Sequence, residues 1–101
     1  MLSFHSKCLD ELLGLLLTAD PQTRLRVRGN LGLLDEFGPG MVALFDLGGD
    51  YSLHELRLDT DPAFGLVCVV QGDNTLALAA YFDHGNDRHD SLIHANERHS
   101  R

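Results

Sequence analysis

Residues 41–82 read MVALFDLGGDYSLHELRLDTDPAFGLVCVVQGDNTLALAAYF, and the reading of this stretch decides the fold. Gly48-Gly49-Asp50, Asp59-Thr60-Asp61-Pro62 and Gln71-Gly72-Asp73-Asn74 interrupt it. Such residues mark turns because glycine supplies positive φ, proline presets φ, and Asp and Asn side chains bond to nearby backbone. The runs between them, Met41 to Leu47, Tyr51 to Leu58, Ala63 to Val70 and Thr75 to Phe82, have the length and apolar content of strands. Short turns joining successive strands make an antiparallel meander. Ala63 to Val70 is apolar almost throughout, which predicts a strand covered on both faces. In the last run Leu76, Leu78, Ala80 and Phe82 alternate with Ala77, Ala79 and Tyr81, and the small residues predict close packing over that strand. Leu53 and Leu56 are out of phase for one common face, so a bulge is expected at His54-Glu55.

Upstream, Phe4, Cys8, Leu12, Leu15 and Leu16 recur at helical spacing, with Leu9, Leu13 and Leu17 widening the apolar stripe. The spacing predicts a helix from Phe4 to Ala19, capped by Ser3 and ended by Pro21. Gly14 inside it predicts a close approach to the sheet. Arg24-Leu-Arg-Val-Arg28 alternates strictly and reads as a short strand, whose guanidiniums would guard an edge against aggregation, meet phosphates or a carboxylate surface, or pair with the chain's own acidic segment. Gly29-Asn30 reads as a turn, Leu31 to Asp35 as a strand or irregular segment, and Gly38-Pro39-Gly40 as a break. Beyond Asp83 the chain turns polar, with a short helix from Arg88 to Asn96 capped by Asp87, or a tail. The expected fold is α+β: an N-terminal helix packed on an antiparallel β-meander of four to five strands, then a short C-terminal helix or tail. Residues 1–83 form the single domain and residues 84–101 a polar, His-rich segment.

The chain has 101 residues, 44% of them apolar, and a net charge of −7. Seven of its fifteen carboxylates lie from Asp35 to Asp61, where Arg57 is the only base, giving that segment a charge of −6. A one-signed surface selects cationic partners and disfavours direct contact with nucleic acid or an anionic membrane. The apolar run from Leu12 to Leu17 is far shorter than the ~20 residues of a membrane helix. Asp10 and Glu11 stand before it, where a signal peptide carries positive charge. A cytoplasmic protein is expected, with Cys8 and Cys68 as buried thiols, a disulfide between them being the alternative.

Chemistry-bearing motifs are few. His84, His89, His94 and His99 recur every fifth residue, but five residues turn a helix by about 140°, so successive imidazoles leave the shared face that a zinc pair needs. The partial metal set is His84, Asp87 and His89, in a loop. No nucleophile elbow, Cys-His signature or phosphate loop is present, and no cofactor is expected.

Leu44-Phe45, Leu53-His54-Glu55-Leu56, Asp59 and Ala63-Phe64-Gly65-Leu66 together resemble the central pattern of an uncharacterised family of small domains carried on plasmids, phages and integrative elements. The resemblance implies a mobile-element protein and transfers no catalytic residue. With the acidic block, it leads to the expectation of a non-enzymatic module that occupies the basic surface of a protein partner, as an inhibitor of a host defence or nucleic-acid-binding protein does. Asp46, Asp50, Glu55, Asp59 and Asp61 are the carboxylates expected to project. A metal-dependent enzyme or metal sensor built on the C-terminal His and Asp residues is the second reading. A self-associating structural protein, dimeric through strand edges or the last strand, is the third.

Overall fold

The computed structural model describes residues 1–38, 40, 43–48, 53–60, 63–72, 74–82 and 88–99. Its elements run β1 (Leu2–Phe4), α1 (Ser6–Thr18), α2 (Pro21–Phe37), β2 (Ala43–Gly48), β3 (Leu53–Thr60), β4 (Ala63–Gln71), β5 (Asn74–Phe82) and α3 (Arg88–His99). The expected α+β class is what the structure has, with an N-terminal helical layer and a short C-terminal helix on one sheet. The four meander strands pair antiparallel in sequence order. A fifth strand, β1, joins parallel to β5, so the sheet order is β1-β5-β4-β3-β2.

The N-terminal third departs from expectation in two places. Leu2–Phe4 is a strand, so Ser3 caps nothing; His5 is the N-cap of α1, its Nδ1 accepting from the Lys7 N–H at 3.2 Å. More consequentially, Arg24 to Arg28 is helical, inside α2. Pro21 both ends α1 and opens α2 at its first turn, where its missing N–H costs nothing. Asp20 is the N-cap, accepting from the Thr23 N–H at 2.8 Å and the Thr23 hydroxyl at 3.0 Å. The buried side chains of α2 are Thr23, Val27 and Leu34, a helical spacing, whereas Leu25 is 73% exposed. Gly29-Asn30 lies mid-helix, and Asn30 Nδ2 ties the helix to the sheet by donating to the Leu58 carbonyl at 2.6 Å.

Helices α1 and α2 cover the same sheet face. Cys8, Leu12, Leu15, Val27 and Leu34 meet Leu56, Leu58, Phe64, Leu66, Cys68, Ala77, Ala80 and Phe82 there. The opposite face buries Leu53, Val67, Val69, Leu78 and Ala79 with Ala95 of α3. Strand β4 is thus covered on both sides, as its composition predicts. Both cysteines are free and buried.

Coverage on two faces removes the need for a bulge at His54-Glu55. Leu53 and Leu56 serve opposite cores, and the β3–β4 register runs unbroken from Leu53↔Val69 to Arg57↔Gly65. The β3–β4 irregularity falls later, between Arg57 and Asp59, and the β2–β3 pairing shifts on the β2 side, between Asp46 and Gly48, opposite His54 and Leu53. In β5 a register shift opposite Val67/Cys68 places Leu78 beside Ala79 on the α3 face, breaking the simple alternation expected for this strand.

Gly14 also differs from expectation: a Cβ there would meet nothing within 4 Å. The residue only weakens α1, so Gly14→Ala is expected to stabilise the protein by about 1 kcal/mol. Chemical denaturation checks this, and a loss of stability would show a constraint that the open space does not reveal.

Candidate functional site

Strand pairing places Arg57, Gly65 and Tyr81 side by side across β3, β4 and β5. Glu55 precedes Arg57 by two residues, so both side chains rise from the same face, on the side of α3. A Cβ built on Gly65 would come within 2.6–2.7 Å of Tyr81 ring and hydroxyl atoms, so the ring lies across the glycine. The phenol thereby reaches over β4 and donates to Glu55 Oε2. Arg57 Nε stands 3.7 Å from Glu55 Oε1. Glu55 and Tyr81 are each only 1% exposed, which closes the pair to any ligand approaching from solvent. Glu55 therefore does not project as expected: its strand is covered on both faces, and the carboxylate is turned inward onto a phenol.

Asp59 is also engaged. Its Oδ2 accepts from Arg26 Nε of α2 at 2.9 Å, and its Oδ1 from the Thr60 N–H at 2.9 Å. The ion pair spans a groove of about 390 Å³ between α2 and β3, rimmed by Leu25 and Leu33 and open over Gly29. Asp46 lies in β2, paired in register with His54. Asp50 and Asp61 lie outside the described residues, as do His84 and Asp87 of the expected metal set. His89 is exposed on α3. Among the described residues no group of three or more His, Cys, Asp or Glu side chains is placed to hold a metal ion. Burial pushes the thiols of Cys8 and Cys68 up to about 12, so neither is set up as a nucleophile at neutral pH.

A further cluster closes the sheet's other side. Beyond Ala77, where β1 ends, the edge of β5 meets side chains instead of a strand. Glu11 Oε1 of α1 accepts from the Ala80 N–H at 3.3 Å, Arg98 of α3 donates to the Leu78 carbonyl at 2.6 Å, and Ser91 Oγ donates to the Ala80 carbonyl at 3.1 Å. Arg98 and Glu11 also form a two-pronged pair at 2.8 and 2.9 Å, with His94 Nδ1 3.8 Å from the same carboxylate. Burial alone would raise the Glu11 pKa, but the Arg98 hydrogen bond and charge and the Ala80 N–H together hold it below the usual value.

The outer surface of the α1–α2 layer carries apolar residues where the solvent side of a surface helix is normally polar. Leu9, Leu13 and Leu17 follow one another at four-residue steps along α1 and are 40%, 53% and 80% exposed. Leu25, Leu33 and Phe37 of α2 are 73%, 37% and 59% exposed. The broad apolar stripe evident in the sequence of α1 thus exceeds what the sheet covers. Sequence reasoning placed Leu9, Leu13 and Leu17 on a widened apolar stripe and missed them as a surface; the number of leucines around the helix was its signal.

No protein-family model and no curated protein matches the chain. Among solved structures it is similar to the solution structure of a conserved hypothetical protein, HP0894, from Helicobacter pylori, at 18% sequence identity and a TM-score of 0.54, over 83% of this chain and 94% of that one. At that identity the similarity is one of fold: both chains arrange their elements in the same way over most of their length.

Proposed function

We propose that this chain is a non-enzymatic protein-binding module that docks through the outer face of its helical layer. The carrying observation is the exposed row Leu9, Leu13 and Leu17 on a helix whose opposite side is already committed to the core. Apolar rows left open on a small domain are a feature of protein-interaction surfaces, where the apolar face of a helix lies in a partner's groove. The acidic segment from Asp35 to Asp61 then steers the encounter and favours a partner whose apolar centre has a basic rim. Glu55 and Asp59 take no direct part in this reading, because one is buried and the other is paired with Arg26. Asp46, Asp50 and Asp61 are the steering carboxylates.

The test is affinity capture from a bacterial host with the wild-type chain and with the double variant Leu13→Glu, Leu17→Glu. Both positions are exposed, so the variant is expected to keep the wild-type melting temperature and to lose the specific protein that the wild type retains at low salt. Equal capture by the variant, or no specific protein held by the wild type, would count against the reading.

A further inference from the structure

The α2 half of this face carries features that identify its occupant. Gly29 and Gly32 both lie exposed, and a Cβ at either would meet nothing within 4 Å, so the helix backbone is bare there. Leu33 stands one turn after Gly29, and Leu25 and Phe37 stand one turn to either side of those two. Charge is distributed unequally along the same helix: Arg24, Arg26 and Arg28 occupy its first half, Asp35 and Glu36 its last turns. A helix that is basic at one end and acidic at the other, with an apolar ridge between, complements itself when turned end for end.

We infer that α2 pairs antiparallel with α2 of a second copy of this chain. The inference rests on the reading of the helical layer as a docking face and names what covers its α2 half. In the register that fits, Leu33 of each copy enters the notch over Gly29 of the other, and Leu25 meets Phe37. Gly32 lies beside the two-fold axis, where the backbones approach most closely. Arg28 then faces Asp35 of the other copy, and the pair occurs twice by symmetry. A centre three residues earlier, nearly one turn, would oppose Arg28 to its own copy, so charge as well as shape selects this register. The α2 helix is ~25 Å long at 1.5 Å per residue, which makes a contact at the small end of stable interfaces, so a reversible dimer is expected.

The experiment is sedimentation equilibrium combined with cysteine cross-linking. The wild type is expected to move from the 11.2 kDa chain mass towards twice that value as concentration rises. Gly29→Glu fills the notch at an open helical position, so it is expected to raise the melting temperature of the monomer while weakening the dimer. Arg28→Glu, also exposed, is expected to weaken it by tenfold or more through like-charge opposition to Asp35. Under mild oxidation Gly32→Cys is expected to give a disulfide-linked dimer and Leu13→Cys none. A wild type that stays monomeric, a dimer indifferent to Gly29→Glu and Arg28→Glu, or equal cross-linking at both positions would overturn the inference. A monomeric wild type whose partner capture still depends on Leu13 and Leu17 would remove this dimer alone. A dimer that survives while capture ignores those leucines would remove the proposed function and leave the dimer.

Discussion

Gly65→Ala is expected to destabilise the protein by about 3 kcal/mol or more, the reverse of the modest gain that alanine usually brings in a strand. The added methyl would stand 2.6–2.7 Å from the Tyr81 ring and hydroxyl, so the ring must lift. Lifting it breaks the bond to Glu55, and a buried carboxylate without its donor costs ~1–3 kcal/mol beyond the steric penalty. For a domain of this size the melting temperature should fall by about 12 °C or more. Tyr81→Phe separates the two contributions, because it removes the hydroxyl and leaves the ring over Gly65. In the Gly65→Ala background Tyr81→Phe should cost much less than in the wild type, since the hydrogen bond is already lost. Thermal melts of the four proteins give the comparison, and a Gly65→Ala protein as stable as the wild type would refute the account.

The Glu55–Tyr81 pair also shows where the sequence stops being readable. The meander was legible because its turns are local: Gly72, for example, sits at φ 62°, a conformation that favours glycine. The double coverage of β4 was legible from its composition alone. The phenol that donates to Glu55, by contrast, lies 26 residues away, and no local pattern announces it. The one sequence clue was Gly65, a glycine in the middle of an apolar strand, which calls for something to cross over it. Helix α2 was misread because Arg-Leu-Arg-Val-Arg satisfies strand alternation over five residues, whereas its true period appears only across Thr23, Val27 and Leu34. Strand β1 is three residues long and pairs with a strand more than seventy positions away, too little sequence to carry a period.

The acidic block changes meaning for the same reason. Its net charge is fixed by composition, but which carboxylates reach solvent depends on the register of β3 and on α2 lying over it. Arg26, assigned to a strand by alternation, comes instead from α2, and its bond to Asp59 is the pairing with the acidic segment that the arginine row allowed. The surplus leucines of α1 and α2 show the converse: a sheet face only five strands wide cannot cover two helices that are apolar over so much of their circumference. Surface and core were both present in the leucine count, and topology divided them.

Arg98→Ala is expected to release α3 from the edge of β5, with a loss of roughly 2–3 kcal/mol; a fully enclosed pair would cost about 3–5 kcal/mol, and this one keeps some solvent on one side. Arg98 is 11% exposed and Glu11 18%, and the substitution leaves both the carboxylate and the Leu78 carbonyl without their guanidinium. Because β1 stops at Ala77, those side chains are what occupies the exposed length of β5, so their loss opens a strand edge. Hydrogen exchange should therefore rise first in α3 and at Ala80, ahead of the α1 core. The pH dependence has a definite sign. Glu11 has a folded pKa below its unfolded value, so its stabilisation is present at neutral pH and disappears as pH falls through the folded value. Glu11→Gln should thus be less stable than the wild type at pH 7, and the gap should narrow steadily on acidification. A gap that is constant with pH, or protection in α3 unchanged by Arg98→Ala, would show that packing of Ser91 and Ala95 alone holds the helix in place.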